Sequence, residues 1–221
     1  MFFPIGDVNV TRGVKPILTP LFIGLNIAVF LWMFQLPSTM QENLLMQFGC
    51  TPARLMQGQG IYTLITSIFL HGGWMHIIGN MLFLWVFADN IESTIGHVRF
   101  LLFYIGGGIV ATFAHVYFNP SSTIPCVGAS GAIAACLGAY MVMFPGSRIK
   151  VMFILLLSSF RIPAYVFLGI WMIQQTWAGI GSLQTVTGDV SGVAYWAHIG
   201  GFVFGLLAGI YFYPEAKKMR D

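Results

Sequence analysis

The sequence predicts an all-α membrane protein, a bundle of six membrane-spanning helices, and three observations predict it. Of its 221 residues 57% are hydrophobic and 8% are charged, where a soluble domain carries roughly 25% charged residues. The mean hydropathy is +0.80. The apolar residues also gather into six stretches of about twenty, the length that crosses a bilayer core. These run over 17–36, 74–91, 99–118, 126–144, 162–181 and 196–213.

Composition also excludes classes. The formal charge of +3 comes from ten basic and seven acidic residues, too little for a nucleic-acid surface, and no basic run is interleaved with aromatics. Cys50, Cys126 and Cys136 lack metal or redox spacing, and whether Cys50 and Cys126 form a disulfide stays open. The stretch Met1–Thr19 holds prolines, glycines, Asp7 and two basic residues, which is no cleavable signal, so the first span is expected to serve as its own insertion signal. With no linker or low-complexity segment, residues 1–221 are expected to form a single domain.

Taken in order, Arg12 and Lys15 precede the first span. The loop over 37–73 is rich in apolar residues, among them Leu44, Met46, Phe48, Leu55 and Ile61, so it is expected to lie in the outer interface. Span two carries His76 and Asn80, spaced i, i+4 on one helix face. Arg99 separates it from span three. Span four opens with Pro125-Cys126-Val127-Gly128-Ala129-Ser130-Gly131-Ala132. The run Val151–Leu157 is too short to span and reads as an interfacial lead into span five. Span six opens with Ala197-His198-Ile199-Gly200-Gly201. Nine of the ten basic residues then fall on one side, Arg54 alone on the other, which places both termini in the cytoplasm.

That orientation makes spans two, four and six all enter from the outer face. His76, Asn80, Ser130 and His198 therefore collapse into one layer near the N-terminal ends of their helices, where partial positive charge favours an anion. Gly128 permits backbone angles closed to other residues. Ala197, Gly201, Gly205 and Gly209 repeat every four residues and match Gly131, Ala135 and Gly138 on span four, so the two helices are expected to pack closely and set His198 beside Ser130. A histidine there can act as general base to the serine, while His76 and Asn80 read either as interhelical hydrogen bonds or as donors to an oxyanion. A metal reading is poorer, even with His71 added, because no carboxylate or cysteine set stands at ligand spacing. Asp89 and Glu92 lie roughly 20 Å or more along the helix from His76, where pairing with Arg99 or capping is expected. Asp189 is on the outer side, but nothing fixes it near His198. The site reads as a Ser–His dyad.

The stretch from Ser67 through His71, His76 and Asn80, then Gly128-Ala129-Ser130-Gly131, then Ala197-His198-Ile199-Gly200-Gly201, resembles the rhomboid intramembrane serine proteases over about residues 17–213. The resemblance implies that Ser130 is the nucleophile, His198 its base, and His76, Asn80 and the Ser130 amide the oxyanion hole. It implies cleavage of single-pass membrane proteins within or near their transmembrane helix, without cofactor or metal. It further implies a first loop partly embedded in the membrane, a gate formed by the fifth span and the loop after it, and a prokaryotic inner-membrane setting with the site near the outer face. Two positions depart from the pattern. Tyr62-Thr63 replaces a Trp-Arg pair in the first loop, and Ala134 stands where an aromatic ring would stack on the base, with Tyr195 as a candidate substitute. The alternative is a non-catalytic rhomboid-like scaffold that binds transmembrane helices, although such relatives are expected to lose the serine, the histidine or the motif glycine. A solute transporter would want charge at mid-membrane.

Overall fold

The computed structural model describes residues 2–8, 13–153, 158–183 and 193–220. A helix lies over each of the six apolar stretches. These are α1 (Leu18–Phe34), α5 (Trp74–Ile95), α6 (His97–Phe118), α7 (Ser130–Met143), α8 (Ala164–Ser182) and α9 (Tyr195–Arg220). Between α1 and α5 the chain folds into α2 (Ser38–Phe48), α3 (Pro52–Met56), α4 (Thr63–Thr66) and a 3₁₀ turn over Ser67–Phe69. Among the described residues α6 and Tyr195–Met219 of α9 are long and apolar enough to cross a membrane. Helices α1 and α7 are apolar but shorter.

The centre of the bundle is α7, whose side chains from Gly131 through Tyr140 are all buried. It packs against α5, α6, α8 and α9. Small residues let those helices approach. A β-carbon on Gly205 would run into the Ala135 carbonyl oxygen, one on Gly138 into that of Phe202, and one on Gly209 would come within 2.9 Å of Ala139 Cα. Between apolar helices in lipid no hydrophobic force acts, so backbone proximity and dispersion must supply the association. The outer faces stay apolar: Leu21, Trp32, Trp85, Leu102, Trp177 and Tyr211 are all exposed.

The expectation of an all-α fold is corrected by a small sheet. Strand β1 (Phe2–Gly6) pairs antiparallel with β2 (Arg148–Phe153), which pairs antiparallel with β3 (Ser158–Pro163). The run Val151–Leu157 is thus not simply an interfacial lead: its first three residues belong to β2, and 154–157 lie outside the described residues. Val151, and Ile149 before the run, are buried in the core of the bundle, while strand pairing takes up the backbone. The register shifts between Pro4 and Gly6, a one-residue irregularity of the kind that bends an edge strand. Beyond β1, Asp7 accepts a hydrogen bond from Asn90 Nδ2 at 2.6 Å and another from the Tyr140 hydroxyl. Burial raises the Asp7 carboxyl above its ordinary range, against those two bonds.

Glu92 takes the capping role of the two that the sequence offered, not the pairing with Arg99. Arg99 pairs with Glu215 at 2.6 Å. The buried Glu92 carboxylate instead accepts the backbone N–H groups of Ile17, Leu18 and Thr19 and the Thr19 hydroxyl, at 2.7–2.8 Å. It satisfies the orphan donors that open α1 and sets a negative charge at that helix's positive end. His97 Nδ1 lies 2.8 Å from the same carboxylate.

Candidate active site

Four of the polar residues singled out from the sequence line one cavity of about 720 Å³: His76 and Asn80 from α5, Ser130 from α7 and His198 from α9. Ser130 is the first residue of α7, His76 the third of α5 and His198 the fourth of α9. Three helix N-termini therefore converge on one space, and each brings a partial positive charge. The remaining walls are largely apolar, with Met75, Phe83, Ile133, Leu137 and Trp171 among them, and Phe3 of β1 also lines the cavity.

The segment before Ser130 is fixed by backbone bonds. Gly128 has φ +124°, a region that favours glycine, and its N–H donates to the Ser67 carbonyl at 2.9 Å. A β-carbon at Gly128 would lie 2.6 Å from His76 Nε2 and 3.5 Å from Asn80 Nδ2. The absence of a side chain there is what lets the serine loop sit against the α5 pair. Cys50 and Cys126 exchange both backbone hydrogen bonds, at 3.0 and 2.8 Å, so the first loop is stitched to the serine loop four residues before Ser130. Burial raises the Cys50 thiol, which makes it a poor nucleophile.

The glycine stripe brings α9 to α7 near the same site. A β-carbon on Gly201 would run into the Gly131 carbonyl oxygen and come within 3.3 Å of Ala134 Cβ. Gly131 itself faces Ala111 of α6, where a β-carbon would meet Ala111 Cβ at 2.6 Å, with Ala197 Cβ farther off at 3.9 Å. Asn80 Nδ2 lies 2.9 Å from His71 Nε2, so the buried His71 orients the Asn80 amide. The rings of His71 and His76 are 5.0 Å apart.

Two further residues meet His198 that the sequence did not single out. Gln175 Oε1 is 2.7 Å from His198 Nδ1, and the Trp171 ring lies 5.8 Å from the imidazole at 35°. Both come from α8. Tyr195, the candidate substitute for a ring at Ala134, packs toward Gly179 instead. The signal available was the i, i+4 spacing of Trp171 and Gln175 in a largely apolar span. Asp189 lies outside the described residues. In the first loop, Tyr62 donates to the Gln47 carbonyl at 3.0 Å, Thr66 Oγ1 to that of Phe48 at 2.7 Å, and Arg54 Nη1 to that of Met46 at 2.8 Å. The loop is thus anchored without the Trp-Arg pair.

Comparison with known proteins shows the family. The family model described as "Rhomboid domain" matches residues 58–215. The chain is 34% identical to Rhomboid protease GluP of Bacillus subtilis over 142 residues, 64% of this chain and 27% of that protein. It is 28% identical to the mitochondrial Rhomboid protein 1 of Saccharomyces cerevisiae over 214 residues, 90% of this chain and 54% of that protein. It is likewise 28% identical over 210 residues to the human mitochondrial presenilin-associated rhomboid-like protein, 90% of this chain and 49% of that one. The chain spans about a quarter to a half of the length of these relatives. They come from a bacterium and from mitochondria, so they do not select the prokaryotic inner membrane that the sequence suggested. A family match over most of the chain shows that it belongs to the rhomboid family of integral membrane proteins.

Proposed function

We propose that this chain is an intramembrane serine endopeptidase that cleaves single-pass membrane proteins within or near their spanning helix. One observation carries the proposal: Ser130, His198, His76 and Asn80 share a single cavity at three helix N-termini. Ser130 Oγ attacks the substrate carbonyl while His198 Nε2 accepts its proton. The oxyanion is held by the His76 ring, the Asn80 amide and the Ser130 N–H, and losing one such donor typically costs about 10²–10³ in rate. Protonated His198 then gives its proton to the leaving amine, and water, activated by the same imidazole, releases the acyl group. The substrate helix must first unwind, since a helix commits its carbonyls to its own hydrogen bonds.

The reading includes one domain, six spans and both termini in the cytoplasm, in keeping with the split of basic residues. The length of α7 supports a recessed site. Its 14 residues extend about 21 Å, short of a hydrocarbon core of about 30 Å. With its C-terminal end at the cytoplasmic side, Ser130 lies below the outer surface.

The test is incubation of purified protein, and of its Ser130→Ala form, with a panel of single-span substrates. Cleavage by the wild type that vanishes in Ser130→Ala is the expected result. Cleavage that survives in Ser130→Ala would overturn the assignment, and binding of the substrates without any cleavage would favour the helix-binding scaffold.

A further inference from the structure

Ala134 leaves the face of α7 beside His198 without a ring to hold the imidazole. The structure supplies a ring and an amide from α8. Gln175 and Trp171 stand one helical turn apart on α8, and both reach His198 on α9. Trp171 also packs on Phe202, one turn beyond His198, with ring centres 6.0 Å apart. The imidazole is thus flanked by one ring and tied at one nitrogen, at 2.7 Å.

We propose that Gln175 is the positioning residue of His198: its amide oxygen accepts the Nδ1–H and keeps Nε2 as the proton acceptor facing the cavity. The proposal rests on reading Ser130 and His198 as nucleophile and base. A neutral imidazole carries one N–H, and the bond made by one nitrogen decides which of the two remains basic. An unanchored ring would spend part of its time in the wrong tautomer or turned away. A neutral amide does this work without placing a second buried charge in an apolar site. The bond also strengthens when His198 takes the serine proton, because its donor is then a cation. Gln175 therefore favours the transition state over the resting enzyme.

Side chains of α8 beyond the site point outward, Ile173 being 69% and Trp177 82% exposed. Trp171 is at once a wall of the cavity and a support of the base.

The experiment measures the rate of fluorophosphonate labelling at Ser130 against pH, in detergent, for wild type, Gln175→Ala, Gln175→Glu and His198→Ala, with thermal melting of each. Among the described residues the other titratable groups near His198 are His76 of α5 and His115 of α6, and they are the same in every variant. Gln175→Ala should label roughly ten to a hundred times more slowly, the loss expected when a reacting group is misplaced by about 1 Å. Gln175→Glu should recover much of the rate and move the acid limb upward by about one pH unit, since a carboxylate favours the imidazolium. A purely structural role would lower the melting temperature and leave the acid limb of Gln175→Glu in place, which would overturn the proposal. So would wild-type rates in both variants while His198→Ala is inert, and in that case the dyad would stand. If Gln175→Glu does not fold, Gln175→Asn, whose amide stops one methylene short, must behave as Gln175→Ala, and wild-type labelling by it would overturn the proposal. If His198→Ala labels as fast as wild type, the dyad falls and this proposal falls with it.

Discussion

Gly128→Ala is the substitution that most sharply probes how the serine loop meets the α5 pair. At φ +124° an alanine is strained whatever space surrounds it, at a cost of about 1–3 kcal/mol. The added carbon would also lie 2.6 Å from His76 Nε2 and 2.8 Å from Cε1, where ordinary contact begins near 3.4 Å, so the ring must retreat by about 0.8 Å. A donor moved that far from a developing oxyanion forfeits much of its effect, and misplacement on this scale costs about 10² in rate. The assay is a double-mutant cycle with His76→Ala, scored by labelling rate per folded protein. Alone, Gly128→Ala should lose about 10² in rate. Added to His76→Ala it should lose far less, because the ring it displaces is already gone. Strictly additive losses, or a loss of stability with the rate intact, would refute the claim that His76 lies against the serine loop and serves the reaction there.

Other perturbations separate the frame from the site. Gly201→Val pushes a branched side chain into the Gly131 carbonyl; it should cost about 1–3 kcal/mol through overpacking and abolish labelling, and wild-type labelling would show that α9 does not meet α7 there. Glu92→Ala removes the acceptor for the first turn of α1 and should cost about 3 kcal/mol in unfolding experiments, while the folded fraction labels normally. For Asp7, raised by burial, the folded strand favours the protonated form, so its contribution to stability is full below the ordinary carboxylate value of 3.8 and is lost as pH rises through the raised value. Hydrogen exchange of the β1 amides, corrected for intrinsic rates, should show protection that declines as pH rises from that value, and Asp7→Asn should remove the decline. Asp89 and Tyr140 face the same carboxylate, so an unchanged decline in Asp7→Asn would move the effect to them.

The helices were legible because an apolar stretch of about twenty residues leaves the backbone little choice in lipid. The polar layer was legible because His76, Asn80, Ser130 and His198 interrupt such stretches near their starts. The sheet was not. Its strands β1 and β2 lie some 145 residues apart in sequence, and a strand's partner across that distance leaves no periodic trace. Which helix Glu92 caps was hidden for a related reason: the donors it accepts from lie 73–75 residues away. Gln175 escaped notice because its i, i+4 spacing from Trp171 names no partner and Gln174 stands beside it; only the fold sets it against His198. The anchoring of the first loop runs through the backbone carbonyls of Gln47, Phe48 and Met46, and side-chain identities say nothing of carbonyl positions.

The central claim is that Ser130 is made nucleophilic by His198, and labelling located by mass spectrometry tests it most directly. Wild-type protein in detergent is treated with a fluorophosphonate, which mimics the tetrahedral state, and the modified peptide is sequenced. The account predicts modification at Ser130 alone, none at Ser67, Ser158 or Ser159, none in Ser130→Ala, and a steep loss in a folded His198→Ala. Modification spread over several serines, or a His198→Ala form that labels as fast as the wild type, would contradict it.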